Sequence, residues 1–113
     1  MRSTDPGRVV VVAAGFALWT GGRCIAAARW SDVRRLRAYH RDTAPTAPLH
    51  LGVELVDGSV MELREEAPGF DAFLDRAAVV LSGLLPYAAW HSTLAATGVI
   101  GEGVVIFERK SPR

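Results

Sequence analysis

The stretch Leu49-His50-Leu51-Gly52-Val53-Glu54-Leu55-Val56-Asp57-Gly58-Ser59-Val60-Met61-Glu62-Leu63-Arg64 decides how this chain is read. Leu49, Leu51, Val53 and Leu55 alternate with His50, Gly52 and Glu54, the period of a strand with one face in a core. Asp57-Gly58 marks a hairpin, and the pattern sets its register. A two-residue turn would put Val53 opposite Glu62 and Glu54 opposite Met61, mixing apolar and charged residues on each face. A three-residue loop of Val56 to Gly58, with Gly58 left-handed in a bulge, pairs Val53 with Met61 and Leu51 with Leu63. The bulged turn is the expectation.

Downstream, Pro68-Gly69 opens a helix expected over about 69–83. Phe70, Phe73, Leu74, Ala77, Leu81 and Leu84 form one apolar stripe at helical spacing, and Asp71 and Asp75 sit where the helix dipole favours them. Gly83 and Pro86 end it. A short helical turn is expected near His91 to Ala96, and Val104 to Glu108 reads as a last strand.

Upstream, Thr43 to Pro48 is a loop with two prolines. Ser31 to Arg34 reads as a turn followed by a strand to Asp42, on which Leu36, Ala38 and His40 alternate with Arg35, Arg37, Tyr39 and Arg41. Arg8 to Ala14 carries four consecutive valines and reads as a strand buried on both faces. Gly15 bends it, Phe16 to Trp19 continues extended, and Thr20-Gly21-Gly22 turns the chain into a returning strand, Arg23 to Trp30.

With 113 residues the chain has room for one domain and one core. The polar ends, residues 1–7 and 110–113, are expected to fray. Cys24 is the only cysteine, which excludes an intramolecular disulfide and a multi-cysteine zinc site and fits a reducing, cytoplasmic location. The apolar run Val9 to Trp19 has the length of a signal-peptide core, but Asp5 and Pro6 spoil its basic flank, and it is too short to span a bilayer, which takes about 20 residues. No transmembrane segment is expected.

The net charge of +1 is unevenly spread. Arg2, Arg8, Arg23, Arg29, Arg34, Arg35, Arg37 and Arg41 face only Asp5 and Asp32, whereas ten carboxylates from Asp42 to Glu108 face Arg64 and Arg76. Neutralisation across neighbouring strands is the simplest use of such a split. The near absence of lysine and the many alanines suggest a GC-rich bacterial genome.

With these elements in place, the chain resembles the bacterial pleckstrin-homology-like (PH-like) domains of unknown function. The resemblance rests on Trp30-x-Asp32-Val33, Ala38-Tyr39-x-x-Asp42, Asp57-Gly58, Pro68-Gly69-Phe70 and Val105-Ile106-Phe107-Glu108-Arg109, and covers about residues 16 to 109. It implies an α+β fold: a strongly bent antiparallel sheet or partial barrel of five to seven strands with one packed helix. It also implies binding or assembly rather than catalysis. A pleckstrin-homology domain normally ends with its helix, whereas a strand follows here, leaving open whether it closes the sheet or pairs with another chain.

No reaction centre stands out. Cys24 with His40 or His50 would make a thiol and base only if the fold brought them together. His40, Asp42, His50 and His91 lack a metal-binding motif. Glu62, Glu65, Glu66 and Asp71 read as a solvated rim. No catalytic residue, metal or cofactor is expected. Arg35, Arg37, Tyr39 and Arg41, with Arg23, form the candidate anion or partner site, since alternate positions on one strand would display guanidinium groups on one face; pairing with Glu54, Glu62 and Glu65 is the structural alternative. The charge balance gives no strong nucleic-acid signal. The expected role is a non-enzymatic module binding a protein partner or a second copy. Its possible interface is Val9, Val10, Val11 and Val12 on one strand, Val105 and Phe107 on another, and Trp90. Binding of an anionic ligand is the alternative.

Overall fold

The computed structural model describes residues 7–40, 49–90 and 103–109. Seven antiparallel strands lie among them: β1 (Arg8–Val11), β2 (Gly15–Thr20), β3 (Arg23–Arg29), β4 (Val33–His40), β5 (Leu49–Leu55), β6 (Val60–Arg64) and β7 (Val104–Glu108). One main helix, α1 (Phe70–Val80), completes an α+β architecture. The loop expected over 43–48, the helical turn over 91–96 and the chain ends fall outside the described residues.

The strands divide into two sheets that do not close on each other, β1-β2-β3 and β6-β5-β4-β7, where one bent sheet was expected. The division occurs at a 3-10 turn, Trp30–Asp32, which joins β3 to β4 in one nearly continuous run. Arg109 holds this junction. Its Nε donates to the Val33 carbonyl at 2.9 Å, its Nη2 to the Trp30 carbonyl at 3.2 Å, and its backbone amide to Arg34 at 2.8 Å.

In the second sheet the register is the one the hydrophobic pattern demanded: Val53 faces Met61 and Leu51 faces Leu63. Gly58 sits at φ 91°, the left-handed position of the three-residue loop. Two bulges then adjust the inward faces. Arg34 is extra on β4 relative to β5, so burial passes from Val33 to Leu36 and Ala38. Ile106 is extra on β7 relative to β4, and both Ile106 and Phe107 enter the core.

In the first sheet, Val12 to Gly15 reverses the chain rather than bending it, because Val12 and Gly15 exchange backbone hydrogen bonds at 2.9 and 3.3 Å. The apolar run of signal-core length is thus β1, this turn and β2. β1 is also shorter than expected and buried on one face only: Val9 is inside and Val10 outside. Core lies on just one side of this three-stranded sheet.

The helix fills that side. Phe70, Phe73 and Ala77 are buried, and Phe73 meets Phe16 at 4.9 Å and Trp30 at 5.2 Å between ring centroids, with Phe16 and Trp30 at 4.8 Å. Burying three large rings together is the kind of contact that fixes a helix against a sheet. The helix stops at Val80, before Gly83, since Leu81 turns extended (φ −101°, ψ 96°) and drops its side chain into the core. No helix among the described residues is long and apolar enough to cross a membrane.

Candidate functional site: the outer layers of the two sheets

The outer face of the second sheet carries the arginines singled out from sequence. Arg35, Arg37 and Tyr39 do share it, as strand alternation requires; Arg41 lies outside the described residues. They are already engaged. Arg35 donates to Glu54 at 3.1 Å and to Glu108 at 2.7 Å, and Arg37 lies 3.7 Å from the other Glu54 oxygen. Glu108 is placed there by the β4–β7 pairing, Arg35 opposite Glu108. The Arg35 hydrogen bond, then its charge, holds the Glu108 carboxyl below the usual range, and the two acids hold the guanidinium above its own.

Tyr39 donates to Glu62 and stacks on His50, 5.7 Å between ring centroids. Among the other acids, Glu65 accepts from the Leu49 amide at 3.1 Å and Glu66 pairs with Arg64 at 3.0 Å. The expected anion face is therefore a neutralised ionic layer. Arg37 contributes one further detail: its Nε is buried without a hydrogen-bond partner.

The expected interface residues separate by burial. Val9, Phe107 and Trp90 are core side chains, Trp90 at 2 % exposure with an edge-on contact to Tyr87 at 4.9 Å. They offer nothing to a partner, a correction to the sequence reading. Val11 is half-buried against the core, whereas Val10, Val12 and Val105 are exposed. The edge of each strand also meets the chain itself at one point. The Val9 amide donates to Pro68 at 2.8 Å, which caps β1, and the Leu85 amide donates to Ile106 at 3.0 Å, which caps β7.

What remains open is the outer side of the first sheet. Its central row is Val10, Ala17 and Ala27, paired across all three strands. On one side of this row stand Arg8, Trp19 and Cys24, with the bulged Ile25 beside them; on the other, Val12, Gly15 and Arg29. Ile25 is 59 % exposed, Val12 56 % and Trp19 38 %. Small residues floor the centre, forming a groove of about 450 Å³ walled by Val10, Val12, Arg29 and Asp32. Its exposed apolar side chains lie side by side rather than scattered.

Its rim is basic. Arg8 and Arg29 stand on it, with Arg23 at the strand end on the side of Thr20; all three are exposed and make no ion pair with any described residue, in contrast to Arg35 and Arg37. Among the described residues β3 pairs with β2 alone, so its far edge presents backbone groups that none of them pairs. The layer combines apolar surface, free cations and an open edge.

No protein-family model matches the chain, and no curated protein or solved structure matches it. The function therefore rests on these surfaces. Sequence reasoning chose Arg35 and Arg37 for their spacing and named Val10 and Val12 of the layer of β1 to β3, but not Ala17, Trp19, Ile25 or Ala27. The signal it could have used was the surplus of apolar residues in Val9–Ala28 over what one core-facing side can bury.

Among the described residues Cys24 and the histidines lie on different sheets. Cys24 lies on the first sheet, its thiol 3.6 Å from the Ala26 carbonyl, whereas His40 and His50 lie on the second. His91 and Asp42 fall outside the described residues.

Proposed function

We propose that this chain is a PH-like, non-enzymatic protein-binding module of the cytoplasm whose docking layer is the outer face of β1, β2 and β3. The observation that carries the reading is the contrast between the two outer layers: the second sheet's is filled by charges paired with one another, the first's is apolar and uncovered by any described residue. Burying apolar area is the dominant favourable term in association, so the uncovered layer is where a partner gains most. Seven strands in two sheets with one packed helix support the PH-like part of the reading, and an exposed free thiol at Cys24 suits a reducing compartment.

Site-specific photo-cross-linking in the producing cells tests it. A photoreactive residue at Ile25 or Val12 is expected to give a discrete protein adduct, while the same residue at Val79, exposed on the helix at 74 %, gives none. Equal labelling at all three positions, or none at any, overturns the reading.

A further inference from the structure

We infer that the partner contributes an extended segment that adds to the open edge of β3 as a fourth strand, with acidic residues at both ends of an apolar centre. This rests on the docking layer proposed above and names the chemistry of its occupant.

β3 reads Arg23-Cys24-Ile25-Ala26-Ala27-Ala28-Arg29, a seven-residue strand with apolar residues between two arginines. Their backbone positions lie roughly 20 Å apart along the strand, Arg29 on the outer side and Arg23 on the side of Thr20. Both are exposed and unpaired among the described residues. An unpaired edge recognises extended backbone through main-chain hydrogen bonds, and the flanking side chains then select the sequence. Here the selection is for carboxylates at both ends, which arginine forks bind with charge-assisted hydrogen bonds.

A second copy of the chain fits poorly on the same edge. In the symmetric antiparallel register centred on Ala26, the bulge leaves Arg23 and Arg29 on opposite faces of β3, so two copies cannot pair regularly along the whole strand. Stacking two copies through the outer face is disfavoured on charge: Arg8 and Arg29 meet only Asp32 in return, a basic rim against a basic rim. The bulge at Ile25 adds a local irregularity, so regular pairing runs from Ala26 to Arg29. Self-association is thus disfavoured at the edge by the bulge and at the face by the like-charged rim.

The test titrates the 15N-labelled full chain with a synthetic peptide carrying glutamates at both ends of a valine-threonine centre, and with its lysine-ended counterpart. The expected result is amide shifts concentrated in Arg23–Arg29 for the acidic peptide, at least roughly tenfold weaker for the lysine-ended one. The double variant R23E/R29E, which removes no ion pair to a described residue, is expected to reverse the preference while its thermal midpoint stays unchanged. Equal binding of both peptides, shifts confined to the Val10–Ala17 groove, no shift with either peptide, or concentration-dependent dimerisation through β3 would each overturn the inference. So would binding to phosphatidylglycerol vesicles that the double variant loses, which would assign the arginines to a membrane. Failure here with positive cross-linking at Ile25 would remove the strand partner and leave the docking layer standing.

Discussion

Tyr39 occupies the space that a side chain at position 52 would fill. A Cβ on Gly52 would stand 3.3 Å from Cε1 of Tyr39, whose ring crosses diagonally from β4 over β5 to reach Glu62 on β6. The absence of a side chain on the middle strand lets one aromatic ring tie three strands together. Gly52→Val is expected to displace the ring and destabilise the fold by about 1–3 kcal/mol, the usual cost of overpacking. Tyr39→Phe, which keeps the ring and loses the phenol, is expected to cost about 1 kcal/mol. Urea unfolding of both variants checks the order.

Gly58 and Gly69 share nearly the same backbone, φ 91° and 92°, in different surroundings. Nothing lies within 4 Å of a Cβ built on Gly58, whereas one on Gly69 would sit 1.9 Å from the Val9 carbonyl oxygen. Gly58→Ala is expected to cost about 1 kcal/mol, the conformational penalty alone. Gly69→Ala adds a backbone collision that must part α1 from β1, and roughly 3 kcal/mol or more is expected. Thermal unfolding of the pair separates conformational strain from close approach.

Arg35 sits between Glu54 and Glu108, so its removal should matter in a pH-dependent way. The Glu108 carboxyl is held low by Arg35, and that of Asp57 by the hydroxyl and amide of Ser59. A carboxylate whose folded pKa is depressed stabilises above its unfolded value, near 4, and loses that contribution as pH falls through the folded value. The wild type is therefore expected to lose stability below about pH 4. Arg35→Met leaves two acids facing each other without their shared cation, so its deficit should be larger at pH 7 than at pH 3. A deficit independent of pH, measured by urea midpoints at both values, would contradict the ionic account.

Phe73 is the one ring of the aromatic trio that comes from the helix. Phe73→Ala is expected to cost about 3–5 kcal/mol, as large-to-small changes of fully buried aromatic residues do. Ala at Val79, on the exposed helix face, should lie within about 0.5 kcal/mol of wild type. Near-ultraviolet circular dichroism should register the first change through Trp30 and leave the second unmarked.

Local pattern carried much of this architecture. The β5–β6 register followed from where Val53, Glu54, Met61 and Glu62 must point, and the helix from the spacing of Phe70, Phe73 and Ala77. The arginine face was legible as a face, but its meaning was not: the partner that satisfies Arg35 includes Glu108, a residue 73 positions away brought alongside by strand pairing. Trp90 read as a possible surface anchor because its burial depends on how the chain packs after the helix. The strand of consecutive valines read as buried on both sides because sequence does not reveal that the first sheet has a core on one side only.

The clamp made by Arg109 has a consequence for how the protein is made. β4 lies between β5 and β7, so one flank of a central strand and the hinge at Trp30 stay unfinished until the segment ending at Arg109 has emerged from the ribosome. Every earlier element can form during synthesis, yet the assembly of the two sheets waits for the arrival of β7. A nascent chain stalled before Val104 emerges should be cut by protease within β4, and one in which Arg109 is well clear of the tunnel should resist. The joint is closed from the far end of the fold.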